Sequence, residues 1–228
     1  MVSAARFGKG MTFPQYVQYV GTPANLQRGG SRSPRQDFSD YLRRAYEAAT
    51  LSPAHEAAWK WLRAQPEAPA RVLAISEEWS SDCRRDIPLV AKLADATGME
   101  LRIFTRDGQT MGRGPTPEAD SPNADLMTEF LNRRGGQTFQ SIPVIAFYTK
   151  DFKELYRYIE FPSVYHKDRI RGSLNAARPG ETPEQAQQRA DREFVEMLGS
   201  PFFEVWRTAA LAEWTAMLFE RLRVGSLA

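Results

Sequence analysis

Val72-Leu-Ala-Ile-Ser-Glu-Glu-Trp-Ser-Ser-Asp-Cys-Arg-Arg-Asp-Ile-Pro88 is the stretch that decides how this 228-residue chain is read. Val72 to Ile75 is a short apolar run of the kind a strand buried on both faces shows. Ser80, Ser81 and Asp82 are all good helix N-cap residues. Leu89, Val90 and Leu93 carry a helical pattern on to Gly98, a helix stop. Cys83, the single cysteine of the chain, therefore falls in the first turn of a helix. Unpaired N–H groups and the positive dipole end favour a thiolate there, while burial and the neighbouring Asp82 oppose it.

The order of strand, turn, Trp79-Ser80-Ser81-Asp82-Cys83 and a helix carrying Pro88 resembles the active-site segment of thioredoxin-fold proteins. That family carries Trp-Cys-x-x-Cys ahead of a helix with a proline five residues beyond the second cysteine. Glu77, Glu78, Trp79 and Asp82 resemble a bacterial thioredoxin-like branch whose motif reads W-C-x-D-C. Two departures stand out. Ser80 occupies the place of the nucleophilic first cysteine, and Ala74 the place of the family's buried acid. A second likeness follows at Ser141-Ile142-Pro143, ahead of the apolar run Val144 to Tyr148. Thioredoxin folds carry a cis proline at that point, and proline is the residue for which the cis form is cheap.

The resemblance implies an α/β fold: a three-layer α/β/α core with a mixed sheet, a helical hairpin before it and helices after it. It makes Cys83 the candidate thiol and Ser80 the mark of the missing nucleophile. It makes Trp79, Ser81, Asp82, Ile142 and Pro143 the candidate peptide-contact residues.

Taken in order, residues 1–35 read as a flexible segment, with Tyr16, Val17, Tyr19 and Val20 as one short docked element. Residues 36–66 read as a helical hairpin, its second helix opening at Ser52-Pro53. Trp59 and Trp61 on that helix read as packing residues. The core runs over 70–160, with strands at Arg71–Ser76 and Glu100–Thr105. It carries a Gly- and Pro-rich loop insertion at 107–124, then a helix over 125–134 ended by Gly135-Gly136. A hairpin of two strands, 144–148 and 155–159, closes it. Residues 162–228 read as a helical extension packed on the core, and the amphipathic last helix also suits a homodimer interface.

With 42 % hydrophobic and 25 % charged residues and a net charge of +2, the composition is that of an ordinary globular protein. Nothing in it argues for nucleic acid or an anionic membrane surface. One cysteine excludes an intramolecular disulfide. His55 and His166 stand in no metal or triad spacing, so neither a metal nor a cofactor is expected. No apolar run approaches the roughly 18 residues of a membrane span, and no signal-peptide core opens the chain, so the cytoplasm is expected. Two functional readings follow. One is a monothiol thiol–disulfide oxidoreductase acting through Cys83 on protein or glutathione thiols. The other is a non-catalytic thioredoxin-fold module that binds protein.

Overall fold

The computed structural model describes residues 2–29 and 35–224. Ten helices and six strands follow one another along them. Strand β1 (Arg71–Ser76) and strand β2 (Glu100–Thr105) keep the bounds that the apolar patterning predicts. Helix α6 (Ser81–Thr97) joins them, so that β1 and β2 pair in parallel. Strands β5 (Val144–Tyr148) and β6 (Glu154–Ile159) form an antiparallel hairpin, and β5 lies antiparallel to β1. The sheet order is β2-β1-β5-β6, a mixed sheet with β1 and β5 central.

Register sorts the side chains. Val72 stands opposite Leu101 on one side and Phe147 on the other, and Ala74 opposite Ile103 and Ile145. Directly paired residues share a face, and alternate residues along a strand do too. That face meets α6, α5 (Pro53–Arg63) and α10 (Pro201–Val224). Trp59 of α5 lies 5.9 Å from Phe147, and Trp214 of α10 lies 6.1 Å from Phe147 and 5.5 Å from Tyr158. The opposite face carries Tyr148, Phe104 and Arg157. There Phe152 links Tyr148 to Phe7 of α1 (Ala4–Phe7), Arg6 lies over Phe104, and Arg157 lies over Phe130, just past α7 (Ala124–Glu129). The result is the three-layer α/β/α arrangement.

Residues 2–29 depart from the flexible segment expected, beyond the one docked element at Tyr16 to Val20. They form α1, α2 (Phe13–Val20) and α3 (Pro23–Leu26). Ser3, Thr12 and Thr22 cap the three, and Thr12 with Gln15 makes a full capping box. Tyr16, Val17 and Val20 bury against the core, which is why the segment is ordered despite its glycines. Residues 30–34, the rest of the expected linker, lie outside the described residues.

Two further expectations are corrected. Helix α4 (Ser39–Ala48) and α5 are consecutive, yet α4 packs chiefly on α6 and α5 on α10, so they are not a mutually packed hairpin. The helix expected over 125–134 stops at Glu129. Asn132–Arg134 and Gln137–Phe139 then pair as a small ribbon, β3 and β4. Gly135 and Gly136 have φ of 55° and 77°, the left-handed pair that a tight hairpin turn requires, so they reverse a strand rather than end a helix.

The C-terminal region holds α8 (Lys167–Asn175), α9 (Pro183–Leu198) and α10. Tyr165, Phe203 and Trp206 form a small apolar cluster apart from the main core, with the Tyr165 and Trp206 rings stacked at 3.8 Å. Trp214 is fully buried at the main-core junction of α10 with the sheet. Trp214→Ala is expected to lower the unfolding free energy by about 3–5 kcal/mol, read from urea denaturation.

Candidate functional site

Ser80 is the N-cap of α6, and its Oγ accepts from the Cys83 N–H at 3.4 Å. The Ser80 oxygen is therefore spent on the helix start. Cys83 follows in the first turn, as the sequence predicts, but it is only 1 % exposed. Burial pushes its thiol up to about 12, against hydrogen bonds from the Glu77 backbone, Ser76 and Ser80, and Asp82 adds to the rise. The helix terminus is outweighed by desolvation. The Tyr16 hydroxyl, 2.9 Å from Ser76 Oγ, is also raised by burial and by the nearby thiol.

Ile142–Pro143 is a cis peptide bond. Val144 stands opposite Ile75, so the proline falls level with Ser76, at the same end of the sheet as the turn to α6. The fold thus gathers the predicted residues at one end. It does not leave them open. Ile142 is 4 % exposed, and Pro143 and Asp82 are buried as well. The Trp79 indole N–H donates to Asp107 Oδ2 at 3.0 Å. Only Trp79 and Ser81 keep partial exposure among the seven residues singled out.

Two buried charge clusters close this end. The first centres on Glu77. Its Oε1 accepts from Arg28 Nη2 at 2.7 Å and from the backbone N–H groups of Arg106 and Asp107 at 2.8 and 2.7 Å. Its Oε2 accepts from Arg35 Nη1 at 2.8 Å. The same guanidinium of Arg35 reaches Glu78 at 2.9 Å and Asp107 at 3.2 Å. Burial and the Asp107 charge push the Glu77 carboxyl up, and the two arginines pull against them. Burial works against the Asp107 carboxylate too, but Arg106, the Gly112 amide and the Trp79 indole prevail and its pKa falls.

The second cluster is built on α6. Asp86 takes a two-pronged contact from Arg85 at 2.8 and 2.7 Å and a hydrogen bond from the Tyr158 hydroxyl at 2.8 Å. Arg85 also holds Asp82 at 2.7 Å. Lys167, at the start of α8, bonds the other oxygen of Asp82 and reaches Glu160 at 2.8 Å. The C-terminal extension therefore sits on the motif turn itself.

Arg28, Arg35, Arg85, Asp107 and Lys167 were not singled out from the sequence. A signal for them existed. Two adjacent carboxylates, Glu77-Glu78, at the end of a strand buried on both faces need buried cations. The chain offers many arginines, and the sequence does not say which ones answer.

The geometry defines a thioredoxin-like α/β fold whose motif-turn end is closed. The comparisons agree with that class. A family model described as thioredoxin matches residues 33–112, which span β1, the motif turn, α6 and β2. Two solved structures resemble nearly the whole chain in fold. One is a protein of unknown function from Pseudomonas aeruginosa, 16 % identical with a TM-score of 0.54. It is aligned over 96 % of this chain and 98 % of its own. The other is an HIV epitope-scaffold, also 16 % identical, with a TM-score of 0.52 over the same shares. Likeness at that identity carries the fold alone. No curated protein matches the chain. Among the described residues, no helix is long and apolar enough to cross a membrane.

Two outcomes are expected. Arg35→Ala leaves Glu77, Glu78 and Asp107 short of a buried cation and should cost roughly 3–5 kcal/mol by chemical denaturation. An unchanged midpoint would contradict its structural role. The raised Cys83 and Tyr16 groups hold their protons in the folded state to higher pH than in the unfolded chain. The Cys83 contribution is complete below the ordinary thiol range and is lost as pH climbs towards about 12, and that of Tyr16 is lost above the ordinary phenol range. Thermal unfolding across alkaline pH should show that fall, with a shallower slope in Cys83→Ala.

Proposed function

We propose that this chain is a non-catalytic, thioredoxin-fold binding module, with Cys83 kept as a core thiol rather than a redox group. The observation that carries the reading is the state of Cys83: enclosed, with its thiol pushed up to about 12. The thiolate is the attacking species in thiol–disulfide exchange, and a second thiol normally resolves the mixed disulfide. Here the thiolate is disfavoured, and Ser80 stands where a partner sulfur would be. The peptide-contact rim expected around Trp79, Ser81, Asp82, Ile142 and Pro143 is largely committed to internal contacts. Asp82 is held by Arg85 and Lys167, and Trp79 by Asp107. Binding on this fold is therefore assigned to surfaces other than that rim.

The test is the reaction of the native protein with Ellman's reagent across pH, beside the protein in denaturant. Negligible native reaction near pH 8 and one equivalent after unfolding are expected. Fast native reaction with a midpoint at or below the ordinary thiol value of about 8.5 would restore the monothiol redox reading.

A further inference from the structure

The free edge of β2 is closed in two places and open in a third. Glu100 N–H bonds to Ala70 O, so Glu100, Arg102 and Phe104 turn their backbone groups towards β1. Leu101, Ile103 and Thr105 turn theirs outward. Thr105 O is taken by the Asn123 side chain at 2.7 Å. Ile103 is taken by Met11, with its N–H donating at 2.8 Å and its carbonyl accepting at 2.9 Å. Two residues further, Phe13 would extend that antiparallel pairing to Leu101, but the chain turns into α2 at Thr12. The outward N–H and C=O of Leu101 are left facing a groove between α2, α4, α6 and the strand edge.

The groove holds about 980 Å³, at the upper end of what ligand sites enclose. Phe13, Val17, Tyr46, Ala91 and Leu101 give it an apolar lining. Charges of both signs stand at its rim. Arg102 pairs with Glu100 at 2.7 Å, Arg43 with Asp40 at 2.7 Å, and Asp95 accepts from the Tyr46 hydroxyl at 2.6 Å. The donors that reach Asp37 and Asp95, the Ser39 N–H at 2.8 Å and the Tyr46 hydroxyl, are neutral, so both carboxylates keep their charge at the rim and a basic side chain on an occupant complements it.

We infer that this groove is a strand-addition site for a short, extended peptide segment of a partner protein that carries a basic side chain beside an apolar one. The segment continues the pairing that Met11 begins. Its main chain answers both groups of Leu101, and an apolar side chain enters the trough. A donor and an acceptor on one edge residue, beside an apolar pocket for alternate side chains, is the arrangement that an added strand reads. The inference rests on the binding-module reading and assigns its surface.

Phage-displayed random heptapeptides panned on the full chain provide the probe. The enriched sequences are then measured as blocked synthetic peptides by calorimetry. Leu101→Pro removes the outward donor without touching the β1–β2 ladder, because that N–H points away from it. Gln18→Trp fills the groove from its exposed wall. Each should weaken binding about tenfold or more, while Leu101→Val stays within about threefold. Ser81→Arg, at the rim beside Cys83, should change nothing. If Leu101→Pro does not fold by circular dichroism, Gln18→Trp and the protection of the Leu101 amide from exchange on binding decide the matter. Absence of enriched peptides, or affinity indifferent to Gln18→Trp, overturns the assignment. So does a homodimer that Gln18→Trp dissolves. Affinity lost only on Ser81→Arg removes this site and leaves the binding-module reading standing. A reactive native Cys83 removes that reading and leaves the edge intact.

Discussion

The guanidinium of Arg35, fully buried among Glu77, Glu78 and Asp107, is the constraint to which the closed end of this fold answers. Three carboxylates at the ends of β1 and β2 stand where no water reaches them. Ionised groups in such a place are costly unless paired and hydrogen-bonded. Arg35 and Arg28 supply the charge, and the amides of Arg106 and Asp107 supply further donors. Both arginines belong to the region before the core. The N-terminal segment is thus an electrostatic part of the sheet's end. Its helices bury Tyr16, Val17 and Val20 while its arginines neutralise the strand ends.

At Cys83 two general tendencies meet, and magnitude decides. A helix N-terminus lowers a thiol pKa, and full burial raises it. Here Tyr16, Ser76 and Ser80 crowd the sulfur and exclude solvent. The hydrogen bonds that reach the sulfur soften the rise without cancelling it. The turn is capped by Ser80 and roofed by chain from both ends.

Much of the core was legible because local signals agreed with tertiary need. Val72 to Ile75 is apolar enough to be a central strand. Ser80 and Gly98 mark the two ends of α6 with a cap and a left-handed stop at φ 69°. The tryptophans of α5 pack on the sheet and on α10 as expected, Trp59 against Phe147 and Trp61 against Phe219. Legibility failed where one signal has two structural uses. Gly135-Gly136 both ends helices and reverses strands, and only the pairing of Asn132 with Phe139 tells which. Thr12 and Thr22-Pro23 are helix starts, but among many glycines and prolines they read as linker. In the site, Cys83 and the cis proline could be placed from the sequence. Their enclosure could not, because its makers lie at Tyr16, Arg28, Arg35 and Lys167. Each pairs across a distance in sequence for which local periodicity carries no information.

The two clusters differ in when their halves leave the ribosome. Arg35 precedes Glu77 by 42 residues, so the compensating cation already exists when the carboxylate is made. Asp82 has Arg85 three residues on, but Lys167 follows it by 85 residues. At the usual pace of synthesis that interval is on the order of 4–17 s. During it, the β1–α6–β2 unit can assemble with its first cluster complete while the turn at Asp82 stands uncovered. The nascent chain is therefore the form in which the motif turn is most open to the cell. The C-terminal extension shuts it only once Lys167 has been made.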